Sequence, residues 1–78
     1  WCSGAAQDFL EEAILAGADA YISGEVSERT THLARESGVP YLACGHHATE
    51  RLGIQALGTW LEQECGVKCT FVDDESPV

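Results

Sequence analysis

Residues 17–50 read GADAYISGEVSERTTHLARESGVPYLACGHHATE, and this stretch decides the fold. Two short apolar runs, at residues 21–23 and 41–44, flank a helical pattern over residues 28–37. A serine typical of an N-cap precedes that helix, and Gly38, typical of a helix stop, follows it. A strand, a helix and a strand joined by short connections predict a parallel sheet with a right-handed crossover.

The same alternation continues upstream of this stretch. An apolar period over residues 9–16 predicts a helix that ends at Gly17. Residues 1–4 resemble the last part of a strand that runs into a turn. The turn at residues 3–6 matches neither the dinucleotide-binding nor the P-loop pattern, so we interpret it as a close-packed turn.

Downstream, the longest helix is predicted from His46 or His47 to Cys65, with Gly66 as its end. A last strand is predicted over residues 69–72, and residues 74–78 form an acidic tail that we expect to be frayed. The full order is (β)αβαβαβ. We therefore predict an α/β fold, a three-layer sandwich with a mostly parallel sheet, in a single domain over residues 1–78.

Composition excludes several classes of function. The chain has 78 residues, with 13 acidic against 4 basic side chains and a net charge of −9, which argues against nucleic-acid binding. No apolar run approaches the ~20 residues of a membrane span, and no leader is recognisable. We expect a cytoplasmic protein without a membrane partner. Because the sequence opens on Trp1 and contains no methionine, we expect an incomplete chain that belongs to a longer protein.

The four cysteines, Cys2, Cys44, Cys65 and Cys69, contain no C-x-x-C pair, which argues against a redox dithiol or a zinc knuckle. We predict that they are reduced and that Cys2 and Cys44 are buried at strand ends. A disulfide between Cys65 and Cys69 remains an alternative, because both residues flank the same turn.

Ligands bind beyond the carboxyl ends of parallel strands, and His46 and Glu50 follow one such end. They are four residues apart, so a helix that begins here places them on one face. An imidazole nitrogen and a carboxylate oxygen suit zinc, iron, nickel or manganese. His47 is a competing ligand, Gly45 permits the sharp turn before the helix, and a merely polar helix start is the plain alternative.

Glu25 follows the preceding strand within Ser-Gly-Glu. It could bind a metal, act as a general base or orient a ligand histidine. The plain alternatives are an acid that favours the start of the next helix and a surface charge. His32 is interpreted as a structural or surface histidine within its helix.

Three motifs together resemble a known family: GADA at residues 17–20, SGE at 23–25 and GHHATER at 45–51. They are similar to the final portion of the NIF-three-like dinuclear metal-binding family, also called GTP cyclohydrolase 1 type 2 homologue. The resemblance implies one half of a duplicated, two-half α/β fold, in which the missing amino-terminal half is the partner across a two-metal site.

The resemblance also implies roles for single residues. His46 and Glu50 would be metal ligands, and Glu25 would point into the shared cleft. His47, where many members have an aromatic residue, and Gly45 stay candidates beside the pair on their position in the sequence alone. Two divalent ions (zinc, iron, manganese or nickel) would activate a water molecule for hydrolysis. The protein would be a homo-oligomer, assembled as a toroidal hexamer. A metal-binding regulatory or scaffold protein without catalysis is the alternative, and a purely structural α/β module is the second.

Overall fold

A computed structural model describes all residues, 1–78. Its elements are a 3-10 turn followed by three helices and two strands in alternation. They are the 3-10 turn Gln7–Phe9, α1 (Leu10–Leu15), β1 (Tyr21–Ser23), α2 (Glu28–Ser37), β2 (Tyr41–Ala43) and α3 (His46–Cys65). This order confirms the α/β class and the alternation predicted from the sequence.

The two strands form a parallel sheet in which Tyr21 pairs with Tyr41 and Ser23 with Ala43. Helix α2 is the crossover between them. Ser27 takes the extended backbone of an N-cap, but its hydroxyl contacts the hydroxyl of Thr30 at 2.7 Å instead of capping a backbone amide. Gly38 ends the helix in the left-handed region, with φ +74°, as predicted.

The amino-terminal strand is reduced to one bridge, in which Cys2 lies parallel to Ser23. The amide of Cys2 donates to the carbonyl of Ile22 at 3.0 Å. Residue 2 therefore extends the sheet on the side of β1 opposite to β2, which agrees with the strand end predicted for residues 1–4.

The core is small and lies on one face of β1. Seven of 78 residues are buried, and the five that are not glycines are Ala6, Leu10, Tyr21, Ser23 and Thr30. The hydroxyl of Tyr21 donates to the carbonyl of Ala6 at 2.9 Å, and burial raises the pKa of this phenol. Leu10 from α1 is fully buried, so the turn before α1 and both short helices share this core.

The other face of the sheet is open, since Ile22 and Leu42 are 42% and 45% exposed. Along β1 the side chains therefore alternate between a buried face, at Tyr21 and Ser23, and an exposed face, at Ile22. The three-layer arrangement and the duplication stay predictions.

Helix α3 has no buried residue along its 20 positions. Its apolar stripe is exposed to solvent at Ile54, Leu57 and Trp60. The molecule is correspondingly elongated, measuring 50 × 27 × 14 Å. No helix is long and apolar enough to cross a membrane.

The prediction of a strand over residues 69–72 is wrong, because this segment has no regular secondary structure. A strand requires a neighbouring ladder of backbone partners, and the Cys69 amide instead donates to the Glu62 side chain at 2.9 Å. The tail folds back along the start of α3, where the carbonyl of Val78 accepts a hydrogen bond from the His47 amide at 3.0 Å.

All four cysteines are free, and Cys65 and Cys69 are not bridged. The predicted burial of Cys2 and Cys44 is wrong, since both are exposed. They lie at the two edges of a sheet whose second face is uncovered, so no layer packs on their thiols.

Candidate metal centre

The parallel register brings the ends of β1 and β2 to the same edge of the sheet. The amide of Cys44 donates to the carbonyl of Ser23 at 2.8 Å, and that of Gly45 donates to Gly24 at 2.8 Å. Gly45 has φ +93°, a conformation that glycine adopts readily. It turns the chain directly into α3, so His46 starts the helix beside the residue that follows Gly24.

His46 lies between two carboxylates at this edge. Its Nδ1 is 2.7 Å from Glu25 Oε1, and its Nε2 is 3.1 Å from Glu50 Oε2. The three side chains are about one-third to one-half exposed. The helical spacing of His46 and Glu50 thus produces the contact predicted from the sequence, and Glu25 joins them from the loop before α2.

The hydrogen bond with Glu25 raises the pKa of His46; burial opposes this rise, and the negative charge of Glu50 adds to it. In the protonated form the imidazolium donates to Glu25 from Nδ1 and to Glu50 from Nε2. A metal ion at Nε2 would take the place of the second proton, since metal ligands bind in their deprotonated forms.

The distances fit two ligands of one ion. Donors about 2.0–2.2 Å from a metal, at roughly 90–110° to each other, lie about 2.8–3.6 Å apart. The 3.1 Å between His46 Nε2 and Glu50 Oε2 falls in this interval. No group of three or more histidine, cysteine, aspartate or glutamate side chains is arranged to hold an ion. Within these 78 residues, the spacing of His46 and Glu50 is therefore compatible with a shared ion, and no third such side chain completes a group with them.

A glycine turn packs directly against this pair. Gly4 is buried and has φ +70°; a Cβ there would overlap Glu50 Oε1 and lie 3.2 Å from His46 Nε2. Gly24 is equally confined, since a Cβ on it would lie 2.8 Å from the His46 Cα. Neither role was predicted from the sequence. A lone glycine in the turn after a strand was the available signal for Gly4.

Thr49 connects that turn to the helix. Its hydroxyl accepts a hydrogen bond from the Gly4 amide at 3.1 Å and donates to the Gly45 carbonyl at 2.8 Å. The third residue between His46 and Glu50 therefore fixes Gly4 against both of them.

His47 lies outside the His46–Glu50 contact. Its Nε2 is 3.0 Å from Asp73 Oδ1, and Arg51 binds the other oxygen of Asp73 at 2.6 Å. The Arg51 guanidinium also lies 5.6 Å from the centre of the Phe71 ring. This cluster holds the carboxyl-terminal segment on α3. His32 is a surface residue, 4.0 Å from Glu28.

Fold and site together define a class: an α/β domain that presents a histidine and a carboxylate, one helical turn apart, at the carboxyl edge of a parallel sheet. The family model described as Duf34/NIF3 (NGG1p interacting factor 3) matches residues 1–77. The chain belongs to this family, as the sequence motifs indicated.

Individual relatives agree with this membership. Proteins described as "GTP cyclohydrolase 1 type 2 homolog" are 55% identical in Vibrio cholerae serotype O1 and 52% identical in Pseudomonas aeruginosa, over 100% and 99% of this chain. The chain spans about 31% of the length of each. A solved structure described as "Structural genomics, protein ybgI, unknown function" matches with a TM-score of 0.94 and 50% identity, over 100% of this chain and 32% of that one.

Proposed function

We propose that this segment is the carboxyl-terminal, metal-binding part of a hydrolase-like protein. The observation that carries the proposal is the approach of His46 Nε2 to Glu50 Oε2 at 3.1 Å, at the edge where β1 and β2 end. One nitrogen and one oxygen donor suit zinc, iron, manganese or nickel. A bound ion of this kind supplies a nucleophilic hydroxide by lowering the pKa of its water.

The charge around the pair supports a cation. A cavity of about 360 Å³ is lined by Glu25, His46, Glu50 and Asp74, among others. Three of its seven lining residues are carboxylates and none is a lysine or arginine, so an anionic substrate would be repelled in the absence of a positive ion. The residues of this chain would hold the ion, orient its ligands and exclude competing anions.

The remaining ligands belong, in this proposal, to the amino-terminal half of the full protein. That half would be a second α/β unit of a duplicated, three-layer fold, and it would complete a site for two divalent ions. Cytoplasmic toroidal hexamers are the proposed assembly. The support for ligands from outside this segment is its content of two suitably spaced donors, together with the 31% of the relatives' length that it spans.

Metal analysis of the full-length protein tests the site. We expect His46→Ala and Glu50→Ala each to lower the number of ions bound per chain. His32→Ala, at an exposed histidine that also lies four residues from a glutamate, is the matched control and should leave the metal content unchanged. Unchanged metal content in both site variants would refute the proposal.

A regulatory or scaffold role is the second candidate, and one observation favours it. The carboxylate best placed to act as a general base, Glu25, is engaged by His46 Nδ1 at 2.7 Å. Turnover of GTP by the metal-loaded full-length protein separates the two candidates. Turnover that is lost with His46→Ala supports hydrolysis, and metal-dependent assembly without turnover supports the scaffold.

A further inference from the structure

Glu25 lies where it can control which nitrogen of His46 faces an ion. The two nitrogens of an imidazole lie on different edges of the ring, and in the neutral form only one carries a proton. Glu25 Oε1 is 2.7 Å from Nδ1, whereas Glu50 Oε2 is 3.1 Å from Nε2. A carboxylate accepts but does not donate, so Glu25 favours the tautomer with the proton on Nδ1 and the lone pair on Nε2.

The backbone of Glu25 is held independently of its side chain. Its amide donates to the Gly4 carbonyl at 3.1 Å, and its own carbonyl accepts a hydrogen bond from the Tyr41 hydroxyl. Glu25 also precedes Ser27, the N-cap of α2, and therefore does not serve as an acid in the first turn of that helix. Its side chain is directed to His46 instead.

The opposite arrangement, with an ion between Nδ1 and Glu25, fits less well. A separation of 2.7 Å is short for two ligands of one ion and typical of a charge-assisted hydrogen bond. The 3.1 Å separation on the other edge suits either an ion or a hydrogen bond. Glu50 is also the more exposed carboxylate, at 52% against 33% for Glu25.

We propose that Glu25 is a positioning residue, which holds the proton of neutral His46 on Nδ1 and so presents Nε2, together with Glu50, to a divalent cation. This inference rests on the proposed metal site and assigns within it a role that does not require Glu25 to touch the ion. Partners of this kind typically change metal affinity by about 10–100-fold when they are removed.

The test uses the full-length protein with zinc as the probe and a competing chelator to measure affinity. We expect Glu25→Ala to weaken zinc binding by about 10–100-fold while the number of ions at saturation is unchanged. The zinc affinity of Glu25→Gln should lie between those of the unmodified protein and Glu25→Ala, because the amide oxygen can still accept a hydrogen bond from Nδ1 but carries no negative charge. Glu28→Gln, at the exposed His32–Glu28 pair, is the matched control and should leave the affinity unchanged.

A readout without metal distinguishes orientation from folding. In the ¹⁵N-labelled, metal-free protein, at a pH where His46 is neutral, we expect the proton on Nδ1, and we expect Glu25→Ala to move it toward Nε2. In cadmium-loaded protein the ¹¹³Cd coupling should appear on Nε2. Coupling to Nδ1, or unchanged zinc affinity in Glu25→Ala, would overturn the inference.

The proposed metal site and this inference fail in different ways. If His46→Ala leaves zinc binding intact, the metal site itself is wrong. If His46→Ala removes an ion while Glu25→Ala and Glu25→Gln both bind zinc like the unmodified protein, only the role of Glu25 is wrong.

Discussion

Gly4→Ala tests whether the glycine turn sets the geometry of the candidate metal centre. Gly4 has φ +70°, and an added Cβ would overlap Glu50 Oε1 and lie 3.2 Å from both Glu50 Cδ and His46 Nε2. The obstructed atoms belong to the carboxylate that is proposed to bind the ion, so that group must move by roughly 1 Å. Misplacement of this size can cost about 100-fold in function.

Two effects of this substitution have to be separated. Alanine in a left-handed conformation costs about 1–2 kcal/mol wherever it occurs. Gly17 has a similar φ of +79°, but a Cβ there meets nothing within 4 Å. Gly17→Ala therefore reproduces the backbone cost without the overlap.

The assay is zinc affinity in the full-length protein, with urea unfolding measured in parallel. Gly17→Ala should lose about 1–2 kcal/mol in the free energy of unfolding, and Gly4→Ala should lose at least as much because of the added overlap. Only Gly4→Ala should also bind zinc at least tenfold more weakly. Equal zinc affinities in the two variants would show that the turn does not constrain Glu50, and the reasoning would be refuted.

Three further outcomes are expected. Glu25 and Glu50 raise the pKa of His46 above its ordinary 6.5, so zinc affinity measured by chelator competition should increase as the pH rises through that raised pKa. In the metal-free protein, the stabilisation that protonated His46 gains from the two carboxylates should be present below pH 6.5. It should be lost as the pH rises through the raised pKa, which unfolding at a series of pH values would show. Tyr41→Phe should lower the free energy of unfolding by about 1 kcal/mol, because the Glu25 carbonyl loses a donor. Asp73→Ala removes the partner of both His47 and Arg51 and should speed proteolysis of residues 66–78, with no change in zinc affinity.

The helical spacing of His46 and Glu50 could be predicted from the sequence because it is a local property. Residues four apart on a helix share a face whatever surrounds them, and a glycine before the first of them marked the start of α3. The place of Glu25 at the same edge followed from the parallel alternation of strands and helices. The sequence did not determine which atoms meet, because the orientation of the His46 ring depends on Gly4 and Glu25, in two separate loops, and on Glu50 in α3.

The wrong predictions concern features that are not local, because strand pairing and burial both require other parts of the chain as neighbours. Residues 69–72 have the composition of a strand, but no second backbone lies beside them in this segment. Cys2 and Cys44 have the apolar character of core residues, but the face and edges of the sheet around them are open. Propensity predicts what a residue can do when a partner is present, and it does not supply the partner.

The same distinction explains why the candidate site is well formed although α3 is largely uncovered. The groups that fix His46 and Glu50 are Gly4, Glu25 and Thr49, and all three belong to the strand ends or to the first turn of the helix. The exposed stripe at Ile54, Leu57 and Trp60 begins two turns further along and contributes nothing to that geometry. The apolar stripe should therefore govern how the helix packs in the full protein, whereas the strand edge alone determines how its first turn presents the two ligands.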